Sequence, residues 1–294
     1  MRFASQRPPR RNGKPEMTHA TGNSYLKDGV LPHMWCAGCG IGTMMGALVR
    51  SFEELGYKKN ETVVVTGIGC TGKLDDYLVT NALHTTHGRA LAYATGIKAF
   101  KPGLKVVVIM GDGDGVTIGG NHFIHAARRN MDLTAIVLNN LNYGMTGGQA
   151  SATSPGASIT STTGYGNPER DFDICALAEA AGANFVARTT TYHGWELKDS
   201  IKTALTKTGF SLVEVMSPCP TQFGRRNEMK ETTAMLLSLR DRAMPLERYR
   251  ELPVTERVGR FSTGILLDRG EPGFNERYAA VRERAVREAE GATS

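Results

Sequence analysis

Four short runs of mostly β-branched and aliphatic residues restrict this chain more than any other feature. They are TVVVTG (62–67), KVVVIM (105–110), LTAIVLN (133–139) and SLVEVM (211–216). None alternates cleanly between apolar and polar positions. A strand that is apolar on both sides must be covered on both sides, which is the situation of an inner parallel strand. Residues 40–57, 91–100, 118–130, 173–181 and 194–206 carry apolar positions at helical spacing, and 183–188 adds a further short strand. Strands and helices that alternate in this way predict an α/β fold: a doubly wound, mostly parallel sheet with helices on both faces.

The ends of the chain differ from this middle. Residues 1–29 open with MRFASQRPPRRNGKPE, which is basic and rich in Pro, Arg and Gly, and read as a flexible arm. No apolar stretch follows it, so it lacks the form of a secretory signal; an Arg-rich transit peptide is the alternative. Between 225 and 260 lie nine Lys/Arg and six Asp/Glu. Residues 226–294 therefore read as a charged C-terminal extension, solvated or facing a partner, and 30–225 as one ligand-binding domain. The net charge of +6 suits an acidic partner or anionic substrates but is too mild and dispersed for nucleic acid. No apolar run is long enough for a bilayer. Five cysteines without an export signal point to a reducing, cytoplasmic compartment, where clustered thiols more often bind metal than form disulfides.

Gly111-Asp112-Gly113 directly follows the KVVVIM run, and Asn139-Asn140 ends and follows the LTAIVLN run. The 25 residues between Gly113 and Asn139 are one helix plus one strand, so both groups fall at carboxyl ends of strands, where open α/β sheets bind ligands. Asp112 offers a carboxylate oxygen and Asn140 an amide oxygen, the hard donors that magnesium prefers. Gly113 and Gly115 let backbone N–H groups approach a phosphate. A lone Gly-Asp-Gly is an ordinary turn, but with the second anchor at this spacing the pair resembles the thiamine diphosphate motif. That resemblance implies Asp112, Asn140 and the backbone carbonyl of Asn142 as magnesium ligands. It also implies Gly111, Gly113, Asp114, Thr146 and Gly147 around the diphosphate, with Met145 beneath the cofactor.

Four cysteines stand in turns: Cys36 and Cys39 in Cys-Ala-Gly-Cys-Gly, Cys70 after the first strand, and Cys219 after SLVEVM in Ser-Pro-Cys-Pro. Four thiolates suit zinc or an iron–sulfur cluster, and spacing does not separate the two. Cys175, on the apolar face of a helical stretch, reads as core.

Together, C-x-G-C-G, G-x-G-C-x-x-K ending at Lys73, T-x-H-G-R from Thr85 to Arg89, G-D-G-D, N-N-x-x-Y-G-M-T-G-G-Q and S-P-C-P resemble the β subunit of two-subunit 2-oxoacid:ferredoxin oxidoreductases, in order, over roughly residues 30–225. The resemblance implies a sheet of the thiamine-diphosphate-binding type. It implies Cys36, Cys39, Cys70 and Cys219 as ligands of one [4Fe–4S] cluster, and oxidative decarboxylation of a 2-oxoacid with coenzyme A. Electrons would pass to ferredoxin, or the reaction would run in reverse. Thiamine chemistry also needs a carboxylate beside the cofactor's pyrimidine ring, which in this family comes from the α subunit, so this chain alone is expected to be inactive. Lys73 and His87 are the local catalytic candidates, Lys73 as a partner for the distal carboxylate of 2-oxoglutarate. The motifs look closest to 2-oxoglutarate enzymes, with pyruvate as the runner-up. A non-redox thiamine lyase would share the diphosphate anchors without needing the thiols, and a zinc-stabilised binding subunit would share only the thiols.

Overall fold

The computed structural model describes residues 23–229 and 231–291, so the first 22 residues of the arm expected over 1–29 lie outside the described residues. Six parallel strands form the body of the sheet: β1 (Thr62–Thr66), β2 (Asn81–His84), β3 (Lys105–Gly111), β4 (Thr134–Asn139), β5 (Phe185–Thr190) and β6 (Ser211–Met216). Two more, β7 (Ala243–Pro245) and β8 (Phe261–Asp268), extend it to the order β2-β1-β3-β4-β6-β5-β8-β7. Eight helices accompany them among the described residues: α1 (Ile41–Glu54), α2 (Ala90–Phe100), α3 (Gly120–Arg128), α4 (Ile174–Ala181), α5 (Gly194–Thr206), α6 (Thr232–Arg242), α7 (Leu246–Glu251) and α8 (Phe274–Gly291).

The apolar strands divide their side chains between two cores. Val64, Val107, Ile109, Ile136, Leu138 and Val213 pack with α1 and α5 on one face. Val63, Val65, Val106, Val108, Val137 and Leu212 pack with α2, α3 and α4 on the other. Successive residues of a strand point to opposite faces, so a sheet covered twice needs apolar residues at every position. At about 25 cal/mol per Å² of buried apolar surface, these two layers are the main stabilising term.

The domain boundaries differ from those read in the sequence. Tyr25 is buried, its ring 5.5 Å from that of Phe52 and its hydroxyl donating to the Tyr57 carbonyl at 2.5 Å. The folded domain therefore reaches back before residue 30. Nor is 226–294 a detached extension. Its FSTGILLD run forms β8, which pairs antiparallel with β5 and carries Leu266 and Leu267 to the second core. Among the described residues, most of the charges that suggested an extension are at exposed positions, with Arg226, Arg242 and Arg257 half-buried, and α8 buries none of its residues. Strand β2 carries no apolar signature because Asn81–His84 is an exposed edge.

One polar network interrupts the apolar centre. Arg188 of β5 and Glu214 of β6 are paired in register and both buried, with Arg188 Nε donating to Glu214 Oε2 at 2.6 Å. Asp173, which also caps α4, accepts from Nη2 of the same guanidinium. Burial alone would lower the pKa of Arg188, but the carboxylates of Glu214 and Asp173 outweigh it and keep the group charged. Removing one partner of a buried pair leaves an uncompensated charge, at a cost of about 3–5 kcal/mol. Arg188→Met should therefore lower stability by about that amount in urea unfolding. Arg188→Met combined with Glu214→Gln should recover a substantial part. Equal loss in the single and double variants would show that the charge is not what matters.

Candidate active site

The parallel strands deliver their following loops to one edge of the sheet, and a cleft opens there. It is lined by Ile68 to Thr71 after β1, His87 after β2, Gly111 to Asp114 after β3, and Asn140 with Asn142 to Thr146 after β4.

Asp112 is fully buried. Its Oδ2 accepts hydrogen bonds from Ser151 Oγ at 2.5 Å and Thr153 Oγ1 at 2.8 Å. Burial pushes its carboxyl up to about 6, and the two hydroxyls pull less strongly in the opposite direction. Asp112 Oδ1 faces another way. As the side-chain amide of Asn140 stands, its oxygen lies toward the Asn142 carbonyl at 2.8 Å and toward Asp112 Oδ1 at 3.1 Å. Three acceptor oxygens thus converge. Either the amide turns over and donates to both neighbours, or a cation lies among them. The donor set is one carboxylate, one amide and one carbonyl, all hard oxygens, which fits magnesium.

A strained turn makes this convergence possible. Leu141, between the two asparagines, has φ of +67°, a conformation that costs a residue with a Cβ about 1–2 kcal/mol. Its N–H donates to Asn139 Oδ1 at 3.2 Å and its carbonyl accepts from Ser154 Oγ at 2.6 Å. The reversal brings the Asn140 side chain and the Asn142 carbonyl to the same point.

The remaining cleft residues separate into groups. Gly111, Gly113, Met145 and Thr146 line it as expected. Gly113 admits the Tyr143 ring, which would lie 2.3 Å from any Cβ there. Gly147, at φ +115°, belongs to the tight turn closed by Gly148 N–H donating to the Tyr143 carbonyl at 2.8 Å and is not part of the wall. Asp114 lines the cleft but is already engaged by His87 and by two backbone N–H groups. Lys73 is not brought to the cleft. It sits on the short helical segment Thr71–Tyr77 with its ammonium 3.6 Å from Asp76.

A second cavity adjoins the first. Met34, Trp35, Cys36, Cys39, Cys70, Asn140, Gly144, Met145, Cys219 and the 220–222 turn surround it, so the four expected cysteines face one space. Cys39 is pushed up to about 12 by burial first, with added repulsion from Cys219, Cys70 and Cys36. Cys70 is pushed up to about 11 for the same reasons. Such thiols become thiolates when a cation is there to stabilise them. Trp35 stacks on Tyr77 at 4.7 Å and donates to the Cys70 carbonyl at 2.7 Å, fixing one wall. Gly38, at φ +78°, could not carry a side chain: a Cβ would fall 1.6 Å from Thr232. Gly144 separates the two cavities. A Cβ on it would lie 3.6 Å from Cys219 Sγ and 3.7 Å from Cys70 Sγ.

Cys175 is buried, away from this cavity. Its Sγ lies 3.1 Å from Glu214 Oε2, and with Asp173 these atoms have the spacing of a metal-binding trio, but Arg188 already fills that role. The core reading of Cys175 agrees with this placement. Ser151 and Thr153 were not anticipated, because a Ser/Thr-rich loop carries no spacing signal. The one hint was a polar stretch too long for a simple connection.

The comparisons agree with this geometry. The family profile described as "Thiamine pyrophosphate enzyme, C-terminal TPP binding domain" matches residues 67–215, about half of the chain and most of the parallel sheet. A 2-oxoglutarate synthase subunit KorB from Methanocaldococcus jannaschii is 44% identical over 260 residues, covering 88% of this chain and 96% of that protein. The subunit of the same name from Archaeoglobus fulgidus is 55% identical over 197 residues, covering 67% of this chain and 73% of its own length. Among solved structures, the 2-oxoglutarate:ferredoxin oxidoreductase from Magnetococcus marinus, with 2-oxoglutarate, coenzyme A and succinyl-CoA bound, superposes with a TM-score of 0.81 at 32% identity over 92% of both chains. With its strand-end loops, its paired cavities and its near-full-length relatives in agreement, the chain belongs to the thiamine pyrophosphate enzymes, in the family of 2-oxoglutarate synthase KorB subunits.

Proposed function

We propose that this chain is the β subunit of a 2-oxoglutarate:ferredoxin oxidoreductase. In this reading it works with an α subunit to convert 2-oxoglutarate and coenzyme A to succinyl-CoA and carbon dioxide, and it passes electrons through one [4Fe–4S] cluster to ferredoxin. One observation carries the reading: a hard-oxygen site suited to a magnesium diphosphate lies one glycine away from a cavity faced by four cysteines. A non-redox thiamine enzyme has no use for the second cavity, and a zinc-stabilised binding module has none for the first.

The residues divide the work. Asp112, Asn140 and the Asn142 carbonyl would hold magnesium, and Gly111, Gly113 and Thr146 would flank the diphosphate. Cys36, Cys39, Cys70 and Cys219 would hold the cluster. When bound, thiamine diphosphate supplies a sink for the electron pair left by carbon dioxide, and the cluster a one-electron relay. Ser151 and Thr153 hold one oxygen of Asp112 and leave the other for the metal. Met145 borders both cavities, and Gly144 keeps the wall between them thin. The carboxylate that activates the cofactor's pyrimidine ring would come from the α subunit.

The direct test is anaerobic co-purification with the α subunit, then assay of 2-oxoglutarate and pyruvate with coenzyme A and an electron acceptor. Colourless, zinc-containing protein would overturn the redox reading. Serine in place of Cys36, Cys39, Cys70 or Cys219 is expected to lower iron content in each case, and Cys175→Ser is expected to leave it intact; full iron in any of the four variants would remove that residue from the ligand set. Asp112→Ala should abolish magnesium-dependent thiamine diphosphate binding while leaving the thiol-site absorption. Thr153→Val should weaken cofactor binding by about ten-fold, the effect of one hydrogen bond to a charged group, and Thr153→Ser should restore it. Lys73 remains the proposed selectivity residue, provided that its ammonium leaves Asp76 when the α subunit closes the pocket. Lys73→Ala should then lower kcat/KM for 2-oxoglutarate by about ten- to a hundred-fold and spare pyruvate; equal losses for both substrates would assign Lys73 a structural role.

A further inference from the structure

The charged C-terminal stretch helps to enclose a cavity of about 310 Å³ that neither the cleft nor the thiol site uses. Asn139 of β4, Arg188 of β5 and Glu214 of β6 line it from the sheet, and Thr153 and Asp173 from the loop that precedes α4. Arg242, Tyr249, Arg260 and Phe261 line it from the C-terminal stretch.

Two of these residues are brought together by strand pairing. The parallel strands β7 and β8 set Ala243 opposite Phe261 and Met244 opposite Ser262. Arg242 and Arg260 immediately precede the first of those pairs, so they stand side by side on chains about 4.8 Å apart. Arg242 is half-buried, with its guanidinium over the Phe261 ring at 5.6 Å. Its Nε donates to the Gly259 carbonyl at 2.6 Å, which is a neutral partner. Among the described residues neither guanidinium has a carboxylate within ion-pair distance. The carboxylates beside them are committed elsewhere, since Glu214 and Asp173 both hold Arg188. Burial pushes the pKa of Arg242 down, and the Asp171 carboxylate opposes this from farther away.

Two neighbouring cations, one of them half-buried, repel each other and lack a counter-ion, which is a costly arrangement. A guanidinium fork matches the paired oxygens of a carboxylate or a phosphate. Asp171 adds a second requirement. It is exposed at the same cavity, so it repels a bare anion but accepts hydrogen bonds from hydroxyl groups.

We propose that this cavity binds a small hydroxylated organic anion. Its carboxylate or phosphate head group lies between Arg242 and Arg260, and its hydroxyls donate to Asp171. The inference goes beyond the thiamine reading and does not rest on it. The two sites still meet at one residue, because Thr153 lines this cavity and donates to Asp112.

The test uses the full-length chain with three probes: citrate, ribose 5-phosphate and inorganic phosphate. Binding is measured by calorimetric titration at low ionic strength, where charge attraction is least screened, and by the shift in Tm. Citrate or ribose 5-phosphate is expected to bind once per chain and to raise Tm. The tighter of the two identifies the head group as carboxylate or phosphate. Arg242→Met and Arg260→Gln should each weaken that binding by about ten- to a hundred-fold. Arg242→Lys should recover only part, because an ammonium lacks the fork. Asp171→Ala should weaken the organic anion by about ten-fold and strengthen inorganic phosphate, whose repulsion it removes. Absence of binding by both organic anions would overturn the proposal. Wild-type affinity in both arginine variants would do the same by placing the anion elsewhere. Inorganic phosphate bound as tightly as either organic anion, or weakened equally by Asp171→Ala, would overturn the hydroxyl contact. If Arg242→Met does not fold, Arg260→Gln, at an exposed position, still decides the head-group site.

Discussion

A line of buried hydrogen bonds joins the ligand-binding end of the sheet to its centre. It runs from Asp112 through Thr153 to Asn139, from Asn139 Nδ2 to Glu214 Oε1 at 2.8 Å, and from Glu214 through Arg188 to Asp173. Each buried group of the line would be costly alone and is made acceptable by the next, with the half-exposed Asp173 at its outer end. The line crosses β3, β4, β6 and β5 and reaches the cap of α4, so it holds the register of the strands to the orientation of one carboxylate. It also pins the loop carrying Ser151 and Thr153 over the strand ends. The open oxygen of Asp112 is therefore placed by the interior of the domain, and not by the loop it sits on.

The site also depends on what a parallel sheet does with its loops. All strands from β1 to β6 end at the same edge, and chain segments far apart in sequence meet there. The thiol cavity draws on the turn before α1, the loop after β1 and the loop after β6. The diphosphate cleft draws on the loops after β1, β2, β3 and β4. Cys70, Asn140, Gly144 and Met145 border both. The two cavities share walls, and at Gly144 a Cβ would stand in ordinary van der Waals contact with the Cys70 and Cys219 sulfurs. No described helix is long and apolar enough to cross a membrane.

The sequence by itself determined the fold class and the positions of the anchors. Apolar runs buried on both sides admit few solutions, and α5 begins and ends where its periodicity indicated. The strand-end locations of Asp112, Asn140, Cys70 and Cys219 followed from counting one helix and one strand between motifs. Edge elements were less legible. The polar β2, the three-residue β7 and the antiparallel β8 are held by neighbours and leave little pattern of their own. For the same reason the charged stretch 226–294 reads as an extension, although its β8 joins the sheet and its Leu266 and Leu267 join the second core.

How the side chains are used depends on contacts made across the completed fold. Two aspartates two residues apart in Gly-Asp-Gly-Asp look equivalent in sequence, yet one turns an oxygen toward Asn140 and the other is enclosed by Gly67, Gly88 and His87. Lys73, three residues after Cys70, turns to Asp76. Ser151 and Thr153 act through hydroxyl hydrogen bonds that any loop serine or threonine is able to make, so nothing local distinguished them. The physical reason is common to all these cases. Strand and helix periodicity is written in neighbouring residues, whereas the partner of a buried polar group is chosen among residues brought close only by the completed fold.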